Sequence, residues 1–216
     1  MDKGEIMIHN NSKDKISIEK NREDKYHHGD LKECLIKAGL KLLVEEGVDN
    51  FSLRKTDAMC NVSHAAPYKH FKNKEELINA ISEFVYKEFE DSMSQVEGKN
   101  PYEKIIELGK KYVSFMAENY DYLRYLFLNS NNKNNPIVIE GGIIKQNEFK
   151  SFNIFRNAAE ECLEYKNVKK EKYAQDITAM WAIVHGLATM IGNNTISYEG
   201  NYMDFVESIL RQNLNF

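Results

Sequence analysis

Hydroxyls, imidazoles, a phenol and several cationic side chains crowd into residues 52–74, SLRKTDAMCNVSHAAPYKHFKNK. Five Lys/Arg (Arg54, Lys55, Lys69, Lys72, Lys74) stand against one acid, Asp57, so the stretch carries +4 while the whole chain carries −4. Such groups donate hydrogen bonds to phosphate oxygens and base edges. A cationic face on an otherwise acidic protein concentrates a polyanion at one place. The residues between the charges set the geometry. Ser52 is placed to cap a short helix running to about Met59, and Ser63 to cap a second one ending near His70. Asn61 lies between them, where a tight turn needs a residue that tolerates left-handed backbone.

A helix-turn-helix lays its second helix in the major groove, with its N-terminal residues against base edges. On that geometry Ser63, His64 and Lys69 are the polar groups that reach bases. Small Ala65 and Ala66 let the backbone approach, and an alanine methyl can meet a thymine methyl. Tyr68 and His70 are expected as phosphate donors, and Ser52 and Arg54 of the preceding helix complete the DNA-facing set. Lys74 opens the next helix, where the macrodipole disfavours a cation. A phosphate held at that terminus by free N–H groups and the lysine together would account for it. Pro67 removes one backbone hydrogen bond and is expected to bias Ala66 away from helical geometry.

The elements that must carry these groups read as helices. Asp30-Leu-Lys-Glu33 has capping-box form, Leu31, Leu35, Ala38 and Leu42 follow at helical spacing, and Gly47 supplies a stop. Asn73-Lys-Glu-Glu76 opens a long helix bearing Leu77, Ile78, Ile81, Phe84 and Val85. Asn100-Pro101-Tyr-Glu103 opens another, through Ile105, Ile106, Tyr112, Val113 and Met116. Asp121 is placed to cap a short helix over 122–128, and five asparagines in 129–135 mark a loop. Phe149, Phe152 and Phe155 mark a further helix. Residues 176–192 are apolar nearly all round, so they bury more than one face. A last helix carries Phe205, Val206, Ile209 and Leu210. No strand is expected, and residues 1–24 read as a disordered tail.

Residues 26–84 resemble the N-terminal DNA-binding domain of TetR-family transcriptional repressors. The resemblance rests on Glu46-Gly47, Phe51-Ser52-Leu53-Arg54, Val62-Ser63, Tyr68-Lys69-His70-Phe71 and Lys74-Glu75-Glu76-Leu77. Asn61 stands where the family usually has glycine, and Met59–Cys60 where it usually has alanine. Residues 120–127 and Trp181-Ala-Ile-Val-His185-Gly186 are similar to a TetR subclass with a Trp…His-Gly signature. The resemblance implies a helical ligand-binding and dimerisation domain behind the DNA-binding one.

The charge distribution fits that division. Residues 1–24 sum to −1, residues 25–74 to +3 and residues 75–216 to −6, which excludes a general nucleic-acid coat. The three cysteines, Cys34, Cys60 and Cys162, have neither zinc nor redox spacing and read as free thiols in a reducing compartment. The polar N-terminus and the lack of a long uncharged apolar run point to a cytoplasmic protein without a membrane span. No phosphate-binding glycine loop, nucleophile elbow or metal-spaced histidine pair is present, so neither enzymatic activity nor a cofactor or metal is expected. Trp181 and His185, one helical turn apart, are either a ligand-pocket wall or a core pair. Phe115, Tyr120, Tyr125 and Phe152 are the other aromatics placed to line a cavity for an apolar effector, or simply to fill a core.

These readings converge on an all-α chain in three parts: a tail over 1–24, a helix-turn-helix domain over 25–74, and a helical effector-binding and dimerisation domain over 75–216. The expected function is a homodimeric repressor of a double-stranded, pseudo-palindromic DNA operator, released by a small molecule. The alternative is an effector-independent DNA-binding or architectural protein.

Overall fold

The first helix is longer than its capping box predicts. In the computed structural model, which describes residues 13–128, 137–145 and 149–214 and side chains from Leu31 onward in those ranges, α1 runs Lys13–Asn50. Asp30 therefore lies inside the helix. Residues 13–24, read from sequence as part of a tail, have helical backbone; residues 1–12 and the asparagine-rich 129–135 lie outside the described residues. Half of residues 13–24 are Lys, Arg or Glu, which favour helix. The expected stop is real. Gly47 has φ 77° and ψ 170°, which breaks the helix before a final turn to Asn50.

Local capping governs most of the other starts. Ser52 accepts from the Lys55 N–H at the head of α2 (Leu53–Met59). Asn73 accepts from Glu76 N–H at α3 (Lys74–Ser94), and Asn100 from Glu103 N–H at α4 (Pro101–Glu118). A single turn, α5 (Tyr120–Leu123), leads into a π-helical turn over Arg124–Leu128. A two-stranded antiparallel hairpin follows, β1 (Ile139–Glu140) with β2 (Ile143–Ile144), where no strand was expected. Gly141 and Gly142, at φ 60° and 78°, make its turn, a geometry that favours glycine at both positions. Then come α6 (Lys150–Tyr165), α7 (Tyr173–Gly192) and α8 (Tyr202–Asn213). The fold is all-α apart from this hairpin. Among the described residues no helix is long and apolar enough to cross a membrane.

One buried core runs from the N-terminal helices into the body. The connection is α3. Near its start Leu77 and Ile81 pack toward α1, so closely that a Cβ on Gly39 would stand 2.7 Å from Ile81 Cδ1. Further along, Phe89 meets Tyr112 and Phe115 of α4 and Phe149, with ring centroids 5.6–5.8 Å apart. Two polar contacts reinforce the joint. Arg124 donates to the carbonyl of Val44 on α1, and Tyr125 shares a 2.6 Å hydrogen bond with Ser82 on α3. At the far end, Arg211 of α8 grips Glu103 of α4 with two parallel hydrogen bonds of 3.0 and 2.8 Å.

The expectation of three free thiols is corrected. Cys34 of α1 and Cys60, the residue that caps the end of α2, are joined by a disulfide with their Cα atoms 6.1 Å apart. Helix packing brings together residues 26 apart in sequence, and no spacing rule for local motifs covers such a pair. Cys162 is free and buried, and burial raises its thiol pKa.

Candidate nucleic-acid interface

The second helix of the expected motif is much shorter than its sequence suggests. After α2 the chain turns through Asn61, whose φ of 53° is the left-handed geometry anticipated for it. Residues 64–66 then form only turns, and a 3-10 helix covers Pro67–Lys69. Proline has no N–H to offer the Ser63 carbonyl, which accepts from Ala66 N–H at 2.9 Å instead. Lys69 N–H and His70 N–H continue as i→i−3 bonds to Ala66 and Pro67 at 3.2 and 2.9 Å. Ala66 itself keeps helical angles (φ −66°, ψ −44°), against the bias expected of a residue before proline. The segment is thus a helical path built from three-residue bonds.

That path presents an exposed row. Arg54 of α2, then Ser63, His64, Ala65, Tyr68 and Lys69, all face solvent, and Tyr68 is 60% exposed although it is an aromatic residue. Arg54 and Lys69 make no ion pair among the described residues, so both cations are available to a partner. Ser52, Ala66 and His70 are half-buried. Ser52 is also occupied as the cap of α2. Pro67 and Phe71 are buried and hold the row against the domain.

Two lysines of the basic stretch have internal partners. Lys55 pairs with Glu46 and donates to the Asn50 carbonyl at 3.1 Å. Lys74 donates to the carbonyl of Val48 at the end of α1, its ammonium 5.9 Å from the Phe51 ring centroid. A phosphate was expected to explain a cation in the first turn of α3; the Val48 carbonyl supplies a partner within the protein and ties α3 to α1.

One residue of the site escaped the sequence reading. Asp57, on α2, is buried with a side chain 3% exposed, and its Oδ2 lies 2.7 Å from Nδ1 of His64, whose side chain is 70% exposed. The signal for it was the single acid in a basic run, seven residues before a histidine.

Residues 35–81 match the family model described as bacterial regulatory proteins, tetR family. The match covers 47 of the 216 residues. Solved structures agree over nearly the whole fold. A TetR-like transcriptional regulator from Rhodococcus sp. RHA1 superposes with TM-score 0.62 at 12% identity, over 85% of this chain and 93% of the other. A TetR-family transcriptional regulator from Haemophilus influenzae RD gives TM-score 0.55 at 21% identity, over 86% and 95%. The fatty acid degradation regulator FadR from Bacillus halodurans gives 0.60 at 15% identity, over 86% and 95%. Among curated proteins none matches. The matched segment contains the exposed row from Arg54 to Lys69, so the basic face and the matched residues coincide.

Behind the matched segment, Phe152, Trp181 and His185 of the residues singled out as ligand-binding pack together, while Phe115, Tyr120 and Tyr125 pack against other parts of the body. Trp181 lies 5.0 Å from Tyr112, 5.0 Å from Phe152 and 5.1 Å from Phe155, centroid to centroid. Phe127 meets His185 edge-on at 4.9 Å. Phe115 stacks on Phe89, Tyr125 is bonded to Ser82, and Tyr120 lies against the end of α7, where a Cβ on Gly192 would stand 2.5 Å from its ring. His185 has its polar partner: Nδ1 and the Tyr112 hydroxyl are 2.9 Å apart. Burial raises the Tyr112 pKa and lowers that of His185, so in both groups it favours the uncharged form.

The pH consequence has a definite sign. His185 takes a proton less readily folded than unfolded, so acid favours the unfolded chain once pH falls below the unfolded value of about 6.5. Urea denaturation across pH 5–8 (roughly the range in which imidazole titrates) should show stability level above that value and declining below it, with a shallower decline in His185→Gln.

Proposed function

We propose that this protein is a homodimeric repressor. Its exposed row, Arg54, Ser63, His64, Ala65, Tyr68 and Lys69, docks in successive major grooves of a pseudo-palindromic operator. Ser52, Ala66, His70 and Lys74 hold or border that surface. The observation that carries this reading is the coincidence of an unpaired, exposed cationic row with the one segment of matched family. Two rows on a two-fold dimer meet one face of the duplex when they are about 34–36 Å apart. A regulator of chromosomal DNA acts in the cytoplasm.

Dimerisation is supported by α7. Its outward side carries Gln175, Thr178, Ala179 and Ala182, all exposed, and a Cβ on Gly186 would touch nothing. Small side chains along one helix side permit close approach by the same helix of a second copy. The Trp…His-Gly subclass supplies the rest of the proposal: an apolar small molecule enters the body and shifts the spacing of the two rows. The π-helical turn is built to transmit that shift. Its Phe127 touches His185, while its Arg124 and Tyr125 hold α1 and α3. An effector can bias the two poses only by its differential affinity for them.

The close packing of Trp181, Phe152 and Phe155 favours one rival, an effector-independent DNA-binding or architectural protein. Thermal shifts across a library of apolar acids and hydrophobic amines separate the two. A stabilising compound that also releases DNA supports the repressor, and a fully inert library supports the rival.

Gel retardation and footprinting on DNA flanking the protein's own gene test the interface. Arg54→Ala and Lys69→Ala are each expected to flatten the plot of log affinity against log salt by about one unit or less. Failure of the wild type to retard any such DNA at low salt refutes the proposal.

A further inference from the structure

We propose that Asp57 is a positioning residue for base recognition: it fixes the tautomer and orientation of His64 so that Nε2 is the atom offered to DNA. The inference rests on the reading of the exposed row as a DNA interface. It deepens that reading by naming which base groups the row selects.

Burying a carboxylate costs stability unless its partners repay the lost hydration. Asp57 is repaid poorly. Oδ2 has the His64 ring, but Oδ1 is buried without a hydrogen-bond partner among the described residues. An alanine in this slot of α2 would have no charge to desolvate. What the aspartate does provide is a rigid anchor under an exposed ring. It sits on α2, ahead of the Asn61 turn, and holds a side chain on the far side of it. His64 belongs to a segment with few regular hydrogen bonds and its side chain is mostly exposed, so among the described residues the side-chain hydrogen bond to Asp57 is the one that holds its ring.

An ionised carboxylate only accepts hydrogen bonds, so the Nδ1 of His64 carries the proton. In a neutral imidazole Nε2 is then bare and can only accept. The two nitrogens lie on opposite edges of the ring, so anchoring Nδ1 on the protein turns Nε2 outward. An acceptor at that place in the major groove matches the exocyclic amino groups, N4 of cytosine or N6 of adenine, and meets only lone pairs on guanine. An unanchored histidine in water prefers the opposite tautomer, which donates from Nε2. Asp57 thus reverses what His64 asks of the base.

Two measurements test this. The first uses DNA-free protein, labelled with nitrogen-15, in mildly alkaline buffer. Long-range proton–nitrogen spectra should show Nδ1 protonated and Nε2 bare in the wild type, reverting to protonated Nε2 in Asp57→Ala. A wild type with Nε2 protonated overturns the proposal, and this spectrum decides the matter even if Asp57→Ala does not fold. The second is binding-site selection with wild type, Asp57→Ala, His64→Ala and the double variant. Both single variants should relax the same base position in each half-site, by roughly ten-fold in discrimination, with no further loss in the double. An Asp57→Ala that keeps the wild-type motif, or weakens all sequences equally, overturns the specificity role. If the wild type binds no DNA, the proposed function falls while the spectra still decide the Asp57–His64 pairing.

Discussion

Trp181→Ala is expected to cost about 3–5 kcal/mol, the largest single-residue loss in the protein. The indole is 9% exposed and touches three separate elements: Tyr112 of α4, Phe152 and Phe155 of α6, and Phe127 of the π-helical turn, all within 6.0 Å between centroids. Truncation leaves a cavity bounded by rigid rings, which cannot collapse the way a cluster of leucines would. It also removes the near-parallel neighbour of His185 and admits water beside the Tyr112–His185 bond. Urea unfolding followed by circular dichroism reads the loss, and Trp181→Phe should recover most of it. A loss below about 1 kcal/mol in Trp181→Ala would show that the indole makes few close contacts, as on the wall of an open ligand pocket and not in a packed core. The same experiment therefore separates the two readings of the Trp181–His185 pair.

Most of the fold was legible in the sequence because most of it is specified over short distances. The capping residues Ser52, Asn73 and Asn100 each accept from a backbone N–H three residues on, an interaction that sequence spacing fully describes. Gly47 and Asn61 were legible for the same reason, since a left-handed angle is a property of one residue. The misreadings have two sources. At Pro67 the sequence pattern for a helix and the missing N–H competed, and the backbone resolved the conflict with tighter turns that no periodicity distinguishes. Around α1 the helix begins well before the capping box at Asp30, because a box marks where a helix can start and does not forbid an earlier start.

The candidate site was legible in composition and only partly in arrangement. The exposure of Arg54, Ser63 and Lys69 follows from their types, whereas that of Tyr68 and Ala65 does not. What each cation and acid does depends on contacts between separate elements. Lys74 to the Val48 carbonyl, Lys55 to Glu46, Arg124 to the Val44 carbonyl and His64 to Asp57 all cross from one element to another. A charge count treats these lysines alike, whereas the structure leaves Arg54 and Lys69 for a partner and gives Lys55 and Lys74 to the protein. The aromatics show the same limit. Their spacing placed them on the inner faces of helices, but whether inner faces enclose a space or close on each other is decided by how far apart the helices pack.

Opening the Cys34–Cys60 bond is expected to lower stability by about 3 kcal/mol, the second large effect. The bond closes a loop between residues 26 apart, and the loop contains all of α2's junction with α1. Its absence enlarges the unfolded ensemble, and in the folded protein it frees the end of α2 from α1. The Cys60 N–H still bonds to the Thr56 carbonyl and the Asn61 N–H to the Ala58 carbonyl, so α2 should persist as a helix while its attachment loosens. Unfolding the wild type with and without a thiol reductant should reproduce the difference, and Cys34→Ser and Cys60→Ser should be insensitive to reductant. Alkylation of the denatured, unreduced protein should label Cys162 alone. Labelling of all three cysteines would refute the pairing. In a reducing compartment most thiols stay reduced, so the reduced measurement describes the protein there. The row from Ser63 to Lys69 begins three residues after Cys60, so DNA affinity measured in the same two conditions tells whether the position of α2's end limits how well that row docks.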